Sequence, residues 1–142
     1  MKHRQQGFTL LEIIVVITII AVLAAYIAPK VAGRADDARI SKVKNDIQVL
    51  ESALELYRLD NFTYPSSDQG LEALVTKPSD NLKNWKTGGY VKKLRKDPWG
   101  NDYHYKSPGR ESEFEIFSYG ADNSEGGDGS NMDIGSWNLD TI

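Results

Sequence analysis

The chain has 142 residues, with 17 lysines and arginines against 20 aspartates and glutamates, and its formal net charge is −3. This length allows one domain with an attached element, and the acidic balance argues against nucleic acid as the main partner. There is no cysteine, so no disulfide bond can stabilise the fold. A bound metal could take that role in a small domain.

The N-terminus combines a short basic segment, MKHRQQG, with a long apolar run. The run from Phe8 to Ala28 is long enough for a membrane span, which needs about 20 residues. Lys2 and Arg4 predict a cytoplasmic N-terminus. A cleaved secretory signal fits less well, since residues 24–30, AAYIAPK, lack a small-residue cleavage site. Neither an anchor nor a signal explains Glu12, because a carboxylate costs about 2.5–3.5 kcal/mol at the centre of a span and less near its edge.

The apolar run is predicted to continue into an amphipathic helix. Pro29 predicts a kink or local unwinding. The helix is expected to run from Phe8 to about Leu59. Its second half carries one apolar stripe, which must be covered either by a coiled-coil partner or by a head domain. We expect a head, because enough of the chain remains after the helix to form one. Apolar residues recur at helical spacing at Ile40, Val43, Ile47, Leu50, Leu54 and Tyr57, and a solvated face is predicted for Lys42, Lys44, Asp46, Glu51, Glu55 and Arg58.

The rest of the sequence predicts a small head with short elements. Ser66 and Gln69 have the spacing of a capping box, which predicts a short helix from about Asp68 to Val75. A polar loop at 77–89 and a turn at 97–101 follow. Alternating residues predict antiparallel strands at 103–105 and 114–119, with a last short strand around Ser136 to Leu139. The predicted fold class is therefore α+β.

An acidic, glycine-rich loop, GADNSEGGDGSNMDIG, occupies residues 120–135. Its oxygen-bearing side chains on a flexible loop suit Ca²⁺ better than zinc or copper. The EF-hand spacing is absent, and such loops are often only solvated. His3 and His104 are isolated in the sequence, and the glycines at 126–129 lack the lysine of a phosphate-binding loop. These features do not indicate an enzyme.

The residues Gly7-Phe8-Thr9-Leu10-Leu11-Glu12 resemble the processing motif of type IV pilins and pseudopilins. This resemblance implies that a prepilin peptidase cuts between Gly7 and Phe8, and that the new amine of Phe8 is methylated. Glu12 of a neighbouring subunit can then neutralise that amine, which makes Glu12 and Phe8 the expected assembly residues. Two charges that are costly at a membrane edge would become one directional pair.

Further motifs resemble the major pseudopilins of type II secretion systems. They are Tyr64-Pro65, Gln69 to Leu74, Asp97-Pro98-Trp99-Gly100-Asn101 and Asp133 to Trp137. The resemblance implies a type IV pilin-like fold with a cleaved leader (1–7), a transmembrane and assembly half (8–29), an amphipathic half (30–59) and a periplasmic head (60–142). It also implies a non-enzymatic helical fibre anchored in the bacterial inner membrane, which helps drive folded proteins through the outer-membrane secretin. The implied partners are further copies of the chain, prepilin peptidase, minor pseudopilins and an inner-membrane platform protein.

The same resemblance implies one structural Ca²⁺ in the segment 119–135. Asp122, Asp133 and the Tyr119 backbone carbonyl are the expected ligands. Met132 stands where some family members have another aspartate, so Asp128, Ser130 or Asn131 would have to supply an oxygen instead. Two alternatives stay open from the sequence. One is a subunit of a type IV or competence pilus, and the other is a monomeric, membrane-anchored calcium-binding module.

Overall fold

The computed structural model describes residues 8–79 and 81–142, and describes only the backbone over residues 28–32. The predicted leader, 1–7, lies outside the described residues. The chain divides into two units, with the boundary between Asp37 and Ala38. Helix α1, Leu10–Asn61, contributes to both units. We refer to Ala38–Ile142 as the head unit.

The first unit is dominated by the apolar part of α1. The segment Leu10–Ile27 has a mean hydropathy of 2.8, and none of it is buried. It is long and apolar enough to cross a membrane. The helix continues across Pro29 in the described backbone, so the local unwinding that the proline predicted is absent there.

The core of the head unit is built on the predicted stripe of α1. Val43, Ile47, Leu54 and Tyr57 are at most 1% exposed, and Leu50 is 8% exposed. The core is completed by Leu71 and Leu74 after the helix and by Ile116 and Ile134 from the sheet. This arrangement confirms the prediction that a head, rather than a coiled-coil partner, covers the stripe. Part of the predicted solvated face is half-buried, at Lys44, Asp46, Glu51 and Arg58. Asp46 accepts a hydrogen bond of 2.9 Å from the Tyr103 hydroxyl.

The segment after α1 forms a tighter element than predicted. The capping box is present, because Ser66 N donates to Gln69 Oε1 (2.9 Å) and Gln69 N donates to Ser66 Oγ (3.2 Å). However, the short helix predicted from about Asp68 to Val75 is shorter than expected and is a 3₁₀ helix, Leu71–Leu74. Gly70 adopts φ 60° and ψ −166°, which interrupts helical geometry directly after the box.

A three-stranded antiparallel sheet lies in the order β1-β2-β3. Strands β1 (His104–Lys106) and β2 (Glu115–Ser118) are one residue from the predicted bounds or within them. The predicted strand at Ser136 to Leu139 was wrong, because that segment is a turn and β3 is Ile134–Gly135. The Asn138 side chain accepts from Gly135 N (2.9 Å) and donates to the Asp133 carbonyl (3.0 Å), which folds the chain back directly after β3.

Candidate functional site

The start of α1 places Glu12 in a reciprocal contact with Thr9. Glu12 N donates to Thr9 Oγ1 at 3.2 Å, and Thr9 N donates to Glu12 Oε2 at 3.5 Å. This is a capping box, which satisfies backbone donors at a helix N-terminus. The spacing Thr9-x-x-Glu12 is visible in the sequence but was missed there. Glu12 therefore has a role within its own chain in addition to the predicted role between chains.

Apolar side chains surround Glu12 and are open to contact. Phe8 is 80% exposed, Leu10 79% and Leu11 73%. A soluble monomer rarely leaves a contiguous apolar surface of this kind uncovered. The segment therefore requires lipid or other apolar protein surface around it.

The acidic loop is folded by its own backbone. Ala121 N donates to the Ser130 carbonyl (2.8 Å), and Asn131 N donates to the Asp128 carbonyl (3.1 Å) within a 3₁₀ turn, Gly129–Asn131. Gly127 has φ 93°, and a Cβ atom there would lie 2.7 Å from the Asn131 carbonyl oxygen. The close approach of the two arms of the loop therefore requires glycine at this position.

Within the loop, Asp133 carries the clearest sign of a cation-binding position. Its Oδ2 atom accepts a hydrogen bond of 3.0 Å from Gly126 N. Its Oδ1 atom is buried and has no hydrogen-bond partner. A buried carboxylate oxygen without a donor is costly, and a cation would remove that cost. Carboxylates and backbone carbonyls, the predicted donor set, are oxygen ligands that Ca²⁺ prefers.

The other predicted calcium ligands are spread over the loop. The Asp122 Oδ1 atom accepts from Ser124 N at 3.2 Å. Asp122, Asp128 and Asn131 are exposed, while Ser130 and Tyr119 are half-buried. Within the described ranges, no group of three or more histidine, aspartate or glutamate side chains is assembled as a metal cluster. The unpartnered Asp133 oxygen is therefore the one observation here that fits a bound Ca²⁺, and the other ligands stay a prediction.

A buried carboxylate, Asp97, lies at the entrance to the loop, and the sequence analysis assigned it only to a turn and to a family motif. Asp97 is 5% exposed. Its Oδ1 atom accepts from Trp99 N (3.0 Å) and Asn101 N (2.8 Å), and its Oδ2 atom accepts from the Ser118 hydroxyl at 2.6 Å. The turn 97–101 is thereby attached to the end of β2, where the acidic loop begins.

Comparison with known proteins places this geometry in a family. Residues 2–28 match the prokaryotic N-terminal methylation motif, and residues 30–137 match type II secretion system protein G. A type II secretion system core protein G of Pseudomonas aeruginosa is 52% identical over 96% of this chain and 99% of its own length. The core protein G of Vibrio cholerae serotype O1 is 51% identical over 96% of this chain and 94% of its own length.

A solved structure agrees with the fold. The crystal structure of the major pseudopilin of the type 2 secretion system of enterohaemorrhagic Escherichia coli is 44% identical, with a TM-score of 0.66, and the match covers 75% of this chain and 92% of that chain.

A methylation motif, a long apolar N-terminal helix and a small antiparallel head together define a pilin-like protein of the pseudopilin class. Its role is structural, and it is not an enzyme. The chain belongs to the protein G family of the type II secretion system, whose members are the major pseudopilins. The alternative of a type IV or competence pilus subunit is not favoured by these matches.

Proposed function

We propose that the chain polymerises into the helical pseudopilus of a type II secretion system, and that the growing fibre helps move folded proteins through the outer-membrane secretin. The observation that carries this proposal is the segment Leu10–Ile27, which is apolar and unburied in the single chain. Such a surface is compatible with lipid before assembly and with the same segment of other copies after it.

Processing prepares the end of this segment for assembly. Prepilin peptidase would cut between Gly7 and Phe8, and methylation would follow at the Phe8 amine. The charge of this amine is paired by Glu12 of a neighbouring copy. The capping box supports this division of roles, because Glu12 approaches Thr9 N at 3.5 Å, a long contact that the carboxylate can share or exchange.

One structural Ca²⁺ belongs to the proposal as a stabiliser of the head. Asp133, Asp122 and the Tyr119 carbonyl would hold the ion, with Asp128, Ser130 or Asn131 completing its oxygen shell. The bound ion would supply positive charge at Asp133 Oδ1, and its binding free energy would add to the stability of a head that has no disulfide bond.

The family match and the apolar helix support a proposed location and a proposed set of partners. The match to the methylation motif and the apolar segment fit an anchor in the inner membrane. We place the head in the periplasm, with minor pseudopilins, an inner-membrane platform protein and the secretin as the other components. The energy for assembly would come from a partner.

The test uses two substitutions at Glu12 in cells that lack their own copy of the gene. Glu12→Ala removes both the charge and the contact to Thr9, whereas Glu12→Gln keeps a hydrogen-bond acceptor and removes only the charge. If the carboxylate pairs with the Phe8 amine, both variants are processed after Gly7 but yield few sheared fibres and little secretion.

The control is Glu72→Ala, which removes an exposed carboxylate from the head unit and should leave fibres and secretion normal. Normal fibres from Glu12→Gln together with few fibres from Glu12→Ala would show that the cap, rather than charge pairing, accounts for the residue. Normal fibres from both Glu12 variants would contradict the assembly role altogether.

A further inference from the structure

We propose that Asp97 and Ser118 form a positioning pair for the calcium loop, and that they set the orientation of the peptide between Tyr119 and Gly120. This inference rests on the proposed binding of Ca²⁺ and adds two residues that are not ligands. Both act on the backbone that carries one of the expected ligands, the Tyr119 carbonyl.

The Ser118 hydroxyl links the carboxylate to the loop. It donates to Asp97 Oδ2 at 2.6 Å and accepts from Gly120 N at 3.1 Å. Ser118 is fully buried and Gly120 is buried. The short distance to the carboxylate is that of a charge-assisted hydrogen bond, so the position of the hydroxyl is well determined.

The bond to Gly120 N fixes a peptide plane. Gly120 N and the Tyr119 carbonyl belong to the same peptide unit, which is trans. A trans peptide directs its N–H and C=O to opposite sides. Because the N–H points to the buried Ser118 hydroxyl, the Tyr119 carbonyl points away from it.

The Gly120 carbonyl is held as well, by a second residue of the turn 97–101. The Gly120 carbonyl accepts from Asn101 Nδ2 at 3.2 Å, and Asn101 itself is fixed by its N–H bond to Asp97 Oδ1. Gly120 has φ 72°, and a Cβ atom there would lie 2.7 Å from the Ser130 carbonyl oxygen. Asp97 therefore reaches both polar groups of Gly120, one through Ser118 and one through Asn101.

A carbonyl that is already oriented loses less freedom when it binds an ion. Partners that orient metal ligands typically contribute about 10- to 100-fold to metal affinity. Removing the Ser118 hydroxyl would leave Gly120 N and Asp97 Oδ2 buried without this partner, and the 119–120 peptide would lose the bond that orients its N–H. The expected effect is a weaker calcium site in a head that still folds.

The experiment measures Ca²⁺ binding by titration calorimetry on the full chain in detergent micelles. Ser118→Ala should raise the dissociation constant by about 10- to 100-fold, and Asp97→Asn should raise it less, because asparagine keeps the acceptor for Trp99 N and Asn101 N. If Asp97 acts through Ser118, adding Asp97→Asn to Ser118→Ala should change the dissociation constant little further.

The matched control is Tyr105→Phe, which deletes a hydrogen bond of 2.9 Å from the Tyr105 hydroxyl to the Pro65 carbonyl in the same unit. It should lower the melting temperature in chelator without changing the calcium affinity. A Ser118→Ala protein that loses stability but keeps the wild-type affinity would overturn the positioning role. Should that variant fail to fold, an unchanged affinity in Asp97→Asn would overturn it instead. A wild-type chain that binds no Ca²⁺ would overturn the calcium proposal itself, which is a distinguishable result.

Discussion

Asp133→Asn should have opposite effects on the head with and without calcium. In chelator, the wild-type protein keeps a buried oxygen of Asp133 without a partner, and an unsatisfied buried acceptor costs about 1–3 kcal/mol, or more when charged. Asparagine removes the charge and can keep the acceptor for Gly126 N. We therefore expect the variant to unfold in chelator at the wild-type temperature or above it.

Addition of Ca²⁺ should reverse the order of the two proteins. At 100 times the dissociation constant, binding to the native state adds about 2.7 kcal/mol. For a unit of the size of the head this corresponds to a rise of about 10–20 °C in melting temperature. The melting temperature of the variant should rise little, because a neutral amide replaces the carboxylate whose Oδ1 atom has no hydrogen-bond partner.

Thermal unfolding followed by tryptophan fluorescence reports directly on the head unit, since Trp85, Trp99 and Trp137 all lie in it. The control is Asp102→Asn, which removes an exposed carboxylate that forms an ion pair of 3.3 Å with Lys96; it should behave like the wild type in both conditions. A wild-type melting temperature that is the same in calcium and in chelator would refute the reasoning. So would an Asp133→Asn variant that gains as much as the wild type.

Two further predictions concern the packing and the electrostatics of the head unit. Leu54 is fully buried, so Leu54→Ala should lower the free energy of unfolding by about 2–5 kcal/mol in urea titrations. Leu56 is 49% exposed, so Leu56→Ala should change that free energy by less than about 1 kcal/mol. Equal losses in the two variants would contradict the assigned packing. Burial and the hydrogen bond to Glu55 raise the pKa of Tyr64 to about 12. The protonated Tyr64 hydroxyl therefore stabilises the fold fully below the unfolded pKa of about 10, and this stabilisation is lost as the pH rises to 12. Tyr64→Phe should make the free energy of unfolding fall less steeply with pH over this range. A pH profile identical to that of the wild type would contradict this.

Periodicity and motifs predicted the long-range plan of the fold. The stripe from Val43 to Tyr57 could be read because helical spacing determines which side chains share a face. The capping box at Ser66 was also correct, since it depends on residues three positions apart. Leu82 and Trp85, in a segment predicted as a polar loop, pack against the core instead. These contacts depend on hydrogen bonds between the loop and other parts of the chain, such as the bond from Trp85 Nε1 to the Ala73 carbonyl.

The parts that the sequence did not predict depend on partners distant in the chain. The pair Asp97 and Ser118 is separated by 21 positions, and nothing in either local pattern indicates the contact. Strand β3 is only two residues long and is defined by pairing with Phe117 and Ser118, so its alternation could not be recognised. The candidate ligand Asp133 was identified by resemblance, whereas its unpaired oxygen follows only from the folded loop.

The most direct measurement of the central claim is the intact mass of the subunit in fibres sheared from cells that express the chain with its own secretion system. We predict fibres built from a chain that begins at Phe8 and carries one added methyl group. Gly7→Leu should abolish these fibres and leave the full-length chain in the membrane. Fibres that lack this protein, or contain it with residues 1–7 still attached, would contradict the proposal that the processed chain is the fibre subunit.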